Sequence, residues 1–327
     1  MNTREVWRIS RAGSVDRLAR VAEPLADPAP GEARVRVHAI GLNFADLFAC
    51  LGLYSATPRG AFVPGLEFAG VIEALGPAGV GSALQPGDRV FGLTRFGGYA
   101  TALNIDVRYL RPSPKGWDFA EAAAFPVQGL TAWYGLVELG GLKRGAAVLL
   151  HSAAGGVGMS ALQILAAHDA RVVATVGTPT KREILIERFR LSPDQIIVRD
   201  RREFGRQLDG ALRALGLDGV DLVLDAIAGP YFQPAYDRLR PEGRMVVYGA
   251  ADLMPKGSRP DFVRLALRYL RRPRLDPLRM VSENKSVMAF NLIWLWEQVD
   301  RLPRAYDQLS CFLQKPPMVG RRFSFGD

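Results

Sequence analysis

Apolar residues follow two successive rhythms along this chain. In the first third they alternate with polar ones in short runs. Arg34-Val-Arg-Val-His-Ala-Ile40 sends every second side chain to one face, the period of a half-buried strand. Phe68–Leu75 and Arg89–Gly92 are further short strands, separated by turns such as Gln85-Pro-Gly-Asp88. From about Phe119 the rhythm changes. Apolar strands recur at Ala146–Leu150, Arg171–Val176, Gln195–Val198, Val220–Ile227, Arg244–Tyr248 and Ser286–Ile293. Helical stretches, including Lys181–Phe189, Phe204–Leu215 and Asp261–Leu270, separate most of them. Strand–helix alternation of this kind predicts an α/β fold with a doubly wound parallel sheet of six strands, behind a β-rich first module. No repeat of solenoid period and no low-complexity linker interrupts it.

One junction carries chemistry. Leu150-His-Ser-Ala-Ala-Gly-Gly-Val-Gly158 joins an apolar strand to a helix marked by Val157, Ala161, Ile164 and Leu165. Small residues in such a turn let the backbone approach a pyrophosphate, and the new helix turns its free N–H groups toward it. Ala153, Gly155 and Gly158 hold the three small positions, with alanine replacing the first glycine. Ala154, Gly156 and Val157 complete the candidate cradle. A buried strand–helix corner selects glycine too, so the flanking elements carry the dinucleotide reading.

The next strand bears on which dinucleotide fits. An NAD site usually ends that strand with an acid for the ribose hydroxyls. Here the end reads Gly177-Thr-Pro-Thr-Lys-Arg182, and no carboxylate appears before Glu183. A hydroxyl at Thr178 and a cation at Lys181 suit a 2′-phosphate, which favours NADPH. Lys181 is otherwise an ordinary solvated helix residue.

Composition narrows the class. The 327 residues leave room for two domains, and 48% hydrophobic with 23% charged residues is the balance of a soluble globular protein. No apolar run reaches eighteen residues, so no transmembrane segment is expected. The N-terminal Met1–Trp7 lacks a signal-peptide core. Cys50 and Cys311 are far apart, which fits a reduced, cytoplasmic setting. The net charge of +9 concentrates in Arg259, Arg264, Arg268, Arg271, Arg272, Arg274 and Arg279. Such a cluster serves an anionic surface or an acidic carrier, or is simply the solvated side of a helix whose buried face is Phe262, Leu265, Ala266, Tyr269 and Leu270. The solvated helix is the reading adopted. No aromatic-interleaved motif accompanies the arginines, so nucleic acid is not an expected partner.

A family resemblance emerges from Gly41-Leu-Asn-Phe-Ala-Asp46, Gly52-Leu-Tyr54, Pro64-Gly-Leu-Glu-Phe-Ala-Gly70, Gly87-Asp-Arg-Val90, Leu130-Thr-Ala132 and the Ala-Ala-Gly-Gly-Val-Gly turn. From about residue 5 onward the chain resembles the zinc-independent medium-chain dehydrogenase/reductase superfamily, in its quinone oxidoreductase group. Asn43–Asp46, Gly155–Met159 and Val247–Ala251 are most similar to the vesicle amine transport subgroup. The resemblance implies a GroES-like catalytic domain over residues 1–122, a Rossmann domain over 123–300 and a return to the catalytic domain over 301–327. Relatives carry a further helix and strand, so the end at Gly326-Asp327 looks truncated, leaving an open edge.

Zinc-dependent members place a cysteine where this chain has Asn43 and a His-Glu pair where it has Leu66-Glu67; their four-cysteine lobe is missing. No metal is therefore expected. Hydride transfer to a quinone or α,β-unsaturated carbonyl dispenses with a Lewis acid, because the electrons end in an aromatic ring or a delocalised enolate. The resemblance implies catalytic places for Asn43 and Tyr54, each of which is otherwise structural. Phe48 replaces a second cleft tyrosine, and with Leu53 and Phe62 forms an apolar wall. It further implies cofactor contacts at Thr131, Arg199, Gly249, Phe290, Asn291 and Leu292. His38 and His168 read as structural, while His151 would need suitable geometry to act as an acid. A homodimer through Ser286–Ile293, with Trp294 and Trp296 beside it, is expected; the alternative packs both tryptophans into their own domain. Two other functions stay open: an enoyl reductase for carrier-bound acyl thioesters, with the arginines as dock, and a non-catalytic, membrane-associated NADPH-binding protein.

Overall fold

Alternating positions in the first third build two antiparallel units. β1 (Asn2–Ile9) and β2 (Leu18–Leu25) form a ribbon. β3 (Glu32–Ile40), followed by α1 (Phe44–Cys50), joins β4 (Glu67–Leu75), β5 (Arg89–Leu93), β6 (Ala102–Asp106) and β7 (Leu110–Pro112) in a five-stranded sheet ordered β6-β3-β4-β5-β7. Val35, Phe68, Ile72, Val90, Leu103 and Leu110 fill its core. The computed structural model describes residues 2–77, 83–255, 257–312, 315–320 and 322–325.

Two short helices, α2 (Phe119–Ala123) and α3 (Pro126–Trp133), lead into the second half. There β8 (Ala147–Leu150), α4 (Gly156–Ala167), β9 (Arg171–Val176), α5 (Pro179–Phe189), β10 (Ile196–Val198), α6 (Phe204–Ala214), β11 (Val220–Asp225), α7 (Phe232–Asp237) and β12 (Leu239–Val247) follow. After α8 (Phe262–Leu270) and α9 (Pro277–Glu283) come β13 (Ser286–Ala289) and α10 (Leu302–Phe312). The six strands pair in parallel in the order β10-β9-β8-β11-β12-β13, the doubly wound sheet expected of a Rossmann fold. β8 is buried along its whole length, which is why its sequence is continuously apolar.

Three expectations need correction. The last strand was expected to run Ser286–Ile293, but β13 ends at Ala289. Phe290 N still donates to Val247 O, and then the Asn291 carboxamide accepts Ile293 N and starts a 3-10 turn over Leu292–Leu295. The apolar stripe of α8 is not a buried face: Phe262 is 72% exposed, Tyr269 59% and Leu270 65%, and the helix has no buried residue. Its period is that of an amphipathic helix, but among the described residues no element covers the stripe. The tryptophans also part company. Trp296 stacks on Tyr109 at 3.8 Å between ring centres, inside its own chain, while Trp294 remains exposed.

The segment after β13 sews the two halves together. Tyr109 OH donates to Trp296 O, Arg301 pairs with Glu138, and α10 inserts Tyr306 among Phe91 and Phe125. Arg322 reaches Asp118, and Trp7 Nε1 donates to Phe325 O at 2.9 Å. The Gly326-Asp327 end, on which the expected truncation rests, lies outside the described residues. Among those described, no helix is long and apolar enough to cross a membrane.

Candidate active site

The parallel sheet reverses its winding between β8 and β11, and the crevice at their carboxyl ends is where such sheets hold ligands. The turn after Leu150 is built tightly there. Ser152 adopts a left-handed conformation (φ 55°), and Ala153 N donates to Thr175 O, tying the turn to β9. Ala153 is fully buried, so a methyl group fits where the common pattern has glycine. At Gly158 no side chain fits: a Cβ would stand 2.6 Å from the Ala153 main chain. The helix therefore starts hard against the turn. Gly155 is exposed at its cap, Ala154, Gly156 and Val157 are half-buried, and the first N–H groups of α4 have no helical acceptor. A turn of this shape can cradle a pyrophosphate.

The far end of the crevice gathers cations. Thr178 caps α5, with Lys181 exposed in its first turn. Arg199 folds back over the end of β9: Nη1 donates to Thr175 Oγ1 at 2.7 Å, and the guanidinium lies 5.5 Å from the Tyr231 ring centre. Its other nitrogen comes within 3.4 Å of where a Gly177 side chain would begin. Thr178 and Lys181 thus begin the helix that leaves this strand end and Arg199 lies over it, an arrangement suited to a phosphate monoester.

At the near end, Thr131 is buried on α3 and donates its hydroxyl to Val127 O, keeping its lone pairs for another donor. Gly249 follows β12 so closely against Ala226 O that a Cβ would sit 2.6 Å away. Phe290 packs on Tyr134 and Tyr248, and Leu292 opens the next turn. Asn291 meets the first module directly, since Tyr54 OH donates to Asn291 Oδ1 at 2.7 Å. Burial pushes the Tyr54 phenol up to about 12, so it stays protonated.

Asn43 is held at two points. Its backbone N–H donates to Asp46 Oδ2 at 2.8 Å, and its Nδ2 donates to Glu67 Oε1 at 2.8 Å. Both acids are fully buried. Burial raises Asp46 to about 7 and Glu67 to about 8, against the opposing pull of their hydrogen-bond donors. Glu67 Oε2 also accepts Val127 N at 2.7 Å, at the start of α3. One residue farther on, Gln128 lays its amide over the dinucleotide turn, where any Cβ on Gly156 would overlap it. An unbroken path therefore runs from Asn43 through Glu67 and α3 to the phosphate cradle.

Glu67, Asp46 and Gln128 were missed as functional candidates. An acid in the apolar run Leu66-Glu67-Phe68-Ala69 was the available signal, because a buried carboxylate needs dedicated partners. Phe48 and Leu53 are half-buried, and Phe62 is buried against Phe96. His38 stacks on Phe119 and His168 binds Ile164 O. His151 is fully buried on Thr175, and desolvation lowers its pKa to about 4, so it remains neutral and is no general acid near neutral pH. Its unfolded value near 6.5 means the unfolded chain takes up the extra proton first. Stability is then complete above pH 6.5 and lost as pH falls toward 4, by about 2 kcal/mol at pH 5. The thermal midpoint of His151→Gln is expected to fall less than that of the unmutated chain between pH 7 and 5. Parallel pH curves would reject this account.

The sequence pattern of the family described as "Alcohol dehydrogenase GroES-like domain" matches residues 29–115, and that described as "Zinc-binding dehydrogenase" matches residues 156–283. The synaptic vesicle membrane protein VAT-1 homolog of Rattus norvegicus is 33% identical over 91% of this chain and 72% of its own length. Escherichia coli quinone oxidoreductase, solved with NADPH, superposes with a TM-score of 0.76 at 26% identity, covering 95% of this chain and 88% of its own. CurK enoyl reductase superposes with a TM-score of 0.78 at 27% identity, covering 98% and 92%.

Proposed function

Because the chain belongs to the medium-chain dehydrogenase/reductase superfamily, in the quinone oxidoreductase group near the VAT-1 homologues, we propose that it passes hydride from NADPH to a quinone or an α,β-unsaturated carbonyl without zinc. The observation that carries this reading is the Asn43 carboxamide, anchored by two buried acids at the position where zinc-dependent members have a cysteine ligand. Leu66 stands at the second ligand position. Among the described residues, no three His, Cys, Asp or Glu side chains are grouped to hold a metal.

NADPH supplies the hydride when bound. The Gly155–Gly158 turn and the first N–H groups of α4 receive its pyrophosphate, and Thr178, Lys181 and Arg199 receive its 2′-phosphate. Thr131 and the main chain around Phe290, Asn291 and Leu292 orient the carboxamide, while Gly249 leaves room for the ring. Asn43 has given one N–H to Glu67 and offers the other to the acceptor oxygen, where negative charge develops. Tyr54 keeps its proton and holds Asn291, joining the two sides of the cleft. Loss of bulk water strengthens each of these contacts.

The test is steady-state NADPH oxidation with a panel of quinones, enones and acyl thioesters, repeated with a chelator. Turnover of quinones or enones that survives chelation is expected. Activity confined to thioesters would replace this reading with carrier-bound enoyl reduction, which the exposed Arg271, Arg272 and Arg274 just after α8 and the likeness to CurK support. NADPH binding with no turnover would favour a non-catalytic protein.

Cofactor choice follows from the strand end. NADPH is expected to bind more tightly than NADH, and Lys181→Ala to reduce that preference about tenfold, the worth of one charge-assisted contact. Equal affinities in the unmutated chain would end the argument.

A homodimer is proposed as well. β13 is the open edge of the sheet, and the exposed Leu278, Val281 and Trp294 lie next to it in sequence. A second copy, pairing strand to strand about a two-fold axis, would satisfy the edge and cover those side chains. Leu278→Asp combined with Val281→Asp is expected to yield monomers in sedimentation. An unmutated chain that is monomeric at micromolar concentration would refute pairing.

A further inference from the structure

Glu67 carries a carboxyl group into the interior, and that group touches both halves of the molecule. It is fully buried on β4, the central strand of the first sheet, yet both oxygens are occupied. Oε1 accepts Asn43 Nδ2 and Oε2 accepts Val127 N, the first on the catalytic loop and the second at the start of α3. The chain gives way to it: Gly41 passes so close that a Cβ there would overlap the carboxyl group. A buried acid with two directed donors and a glycine cleared beside it is costly unless its geometry is used.

We propose that Glu67 is a positioning residue for the reductase step, fixing the Asn43 carboxamide relative to α3 and hence to the nicotinamide pocket. The proposal rests on the reductase reading above. Asn43 is the group that meets the acceptor oxygen; Glu67 touches neither substrate nor cofactor and acts through Asn43. Its two partners are both donors; each carboxyl oxygen can accept whether or not the group is protonated, but a glutamine in its place must turn an NH2 group toward one of them and lose that bond. The loose end is then either the amide or the helix start, and in both cases the amide no longer keeps its place over the pocket.

The discriminating experiment is a double-mutant cycle on an acceptor that the unmutated chain reduces, using Glu67→Gln, Asn43→Ala and the pair. Glu67→Gln is expected to lower kcat about thirtyfold while changing KM for NADPH less than threefold. In the Asn43→Ala background the same substitution should cost less than threefold in kcat. Gly41→Ala, which displaces the carboxyl group without altering its chemistry, should reproduce the kcat loss and add little to Glu67→Gln; it carries the test if the glutamine variant does not fold. Multiplicative losses in the cycle, or a kcat that falls only in step with NADPH affinity and thermal midpoint, would overturn the positioning assignment alone. An unmutated chain that reduces nothing in the panel would overturn the reductase reading and this proposal with it.

Discussion

Asn43→Ala is expected to lower kcat by a hundredfold to a thousandfold, with NADPH affinity nearly unchanged. Removing one donor aimed at a developing oxyanion costs about 3–4 kcal/mol in a water-poor site. Asn43 contributes no bond to the phosphate cradle, so the loss should fall on turnover. The fold should survive, because Asp46 keeps its bonds to the Asn43 backbone and to Tyr99 OH. Stopped-flow measurement of hydride transfer would separate chemistry from release. A loss below threefold would remove Asn43 from the reacting centre.

Gly158→Ala is expected to weaken NADPH binding about a hundredfold, or about 3 kcal/mol. The added methyl meets main-chain atoms of Ser152 and Ala153, which β9 holds through Ala153 N, so the turn itself must move. Gly156→Ala offers the control. The three atoms nearest its methyl all belong to the Gln128 side-chain amide, which can swing aside, and affinity should change only a few-fold. Fluorescence titration of both variants checks the contrast; equal losses would mean that the turn is not what holds the dinucleotide.

The contrast between Gly156 and Gly158 also marks what the sequence could tell. Strand, small-residue turn and helix were legible because each follows from local period and backbone need, and the six parallel strands were found within a few residues. The absence of an acid before Glu183 was legible as well, while Arg199 over the same strand end followed only from the family resemblance. What failed depended on events distant along the chain. Whether the stripe of α8 is covered is decided by other surfaces, not by its period. β13 stops early because the Asn291 side chain competes for the backbone. Trp296 turns inward because Tyr109, far earlier, offers a flat face and a hydroxyl. Glu67 is the instructive case: noticed only as the neighbour of Leu66, which stands where the histidine ligand would, it proves to have two partners, and one of them, Val127, lies 60 positions away.

The hydrogen bond from Trp7 to Phe325 places the first strand and the last described residues side by side. Two segments 318 positions apart thus close the chain on itself, so that loosening either one also frees the other.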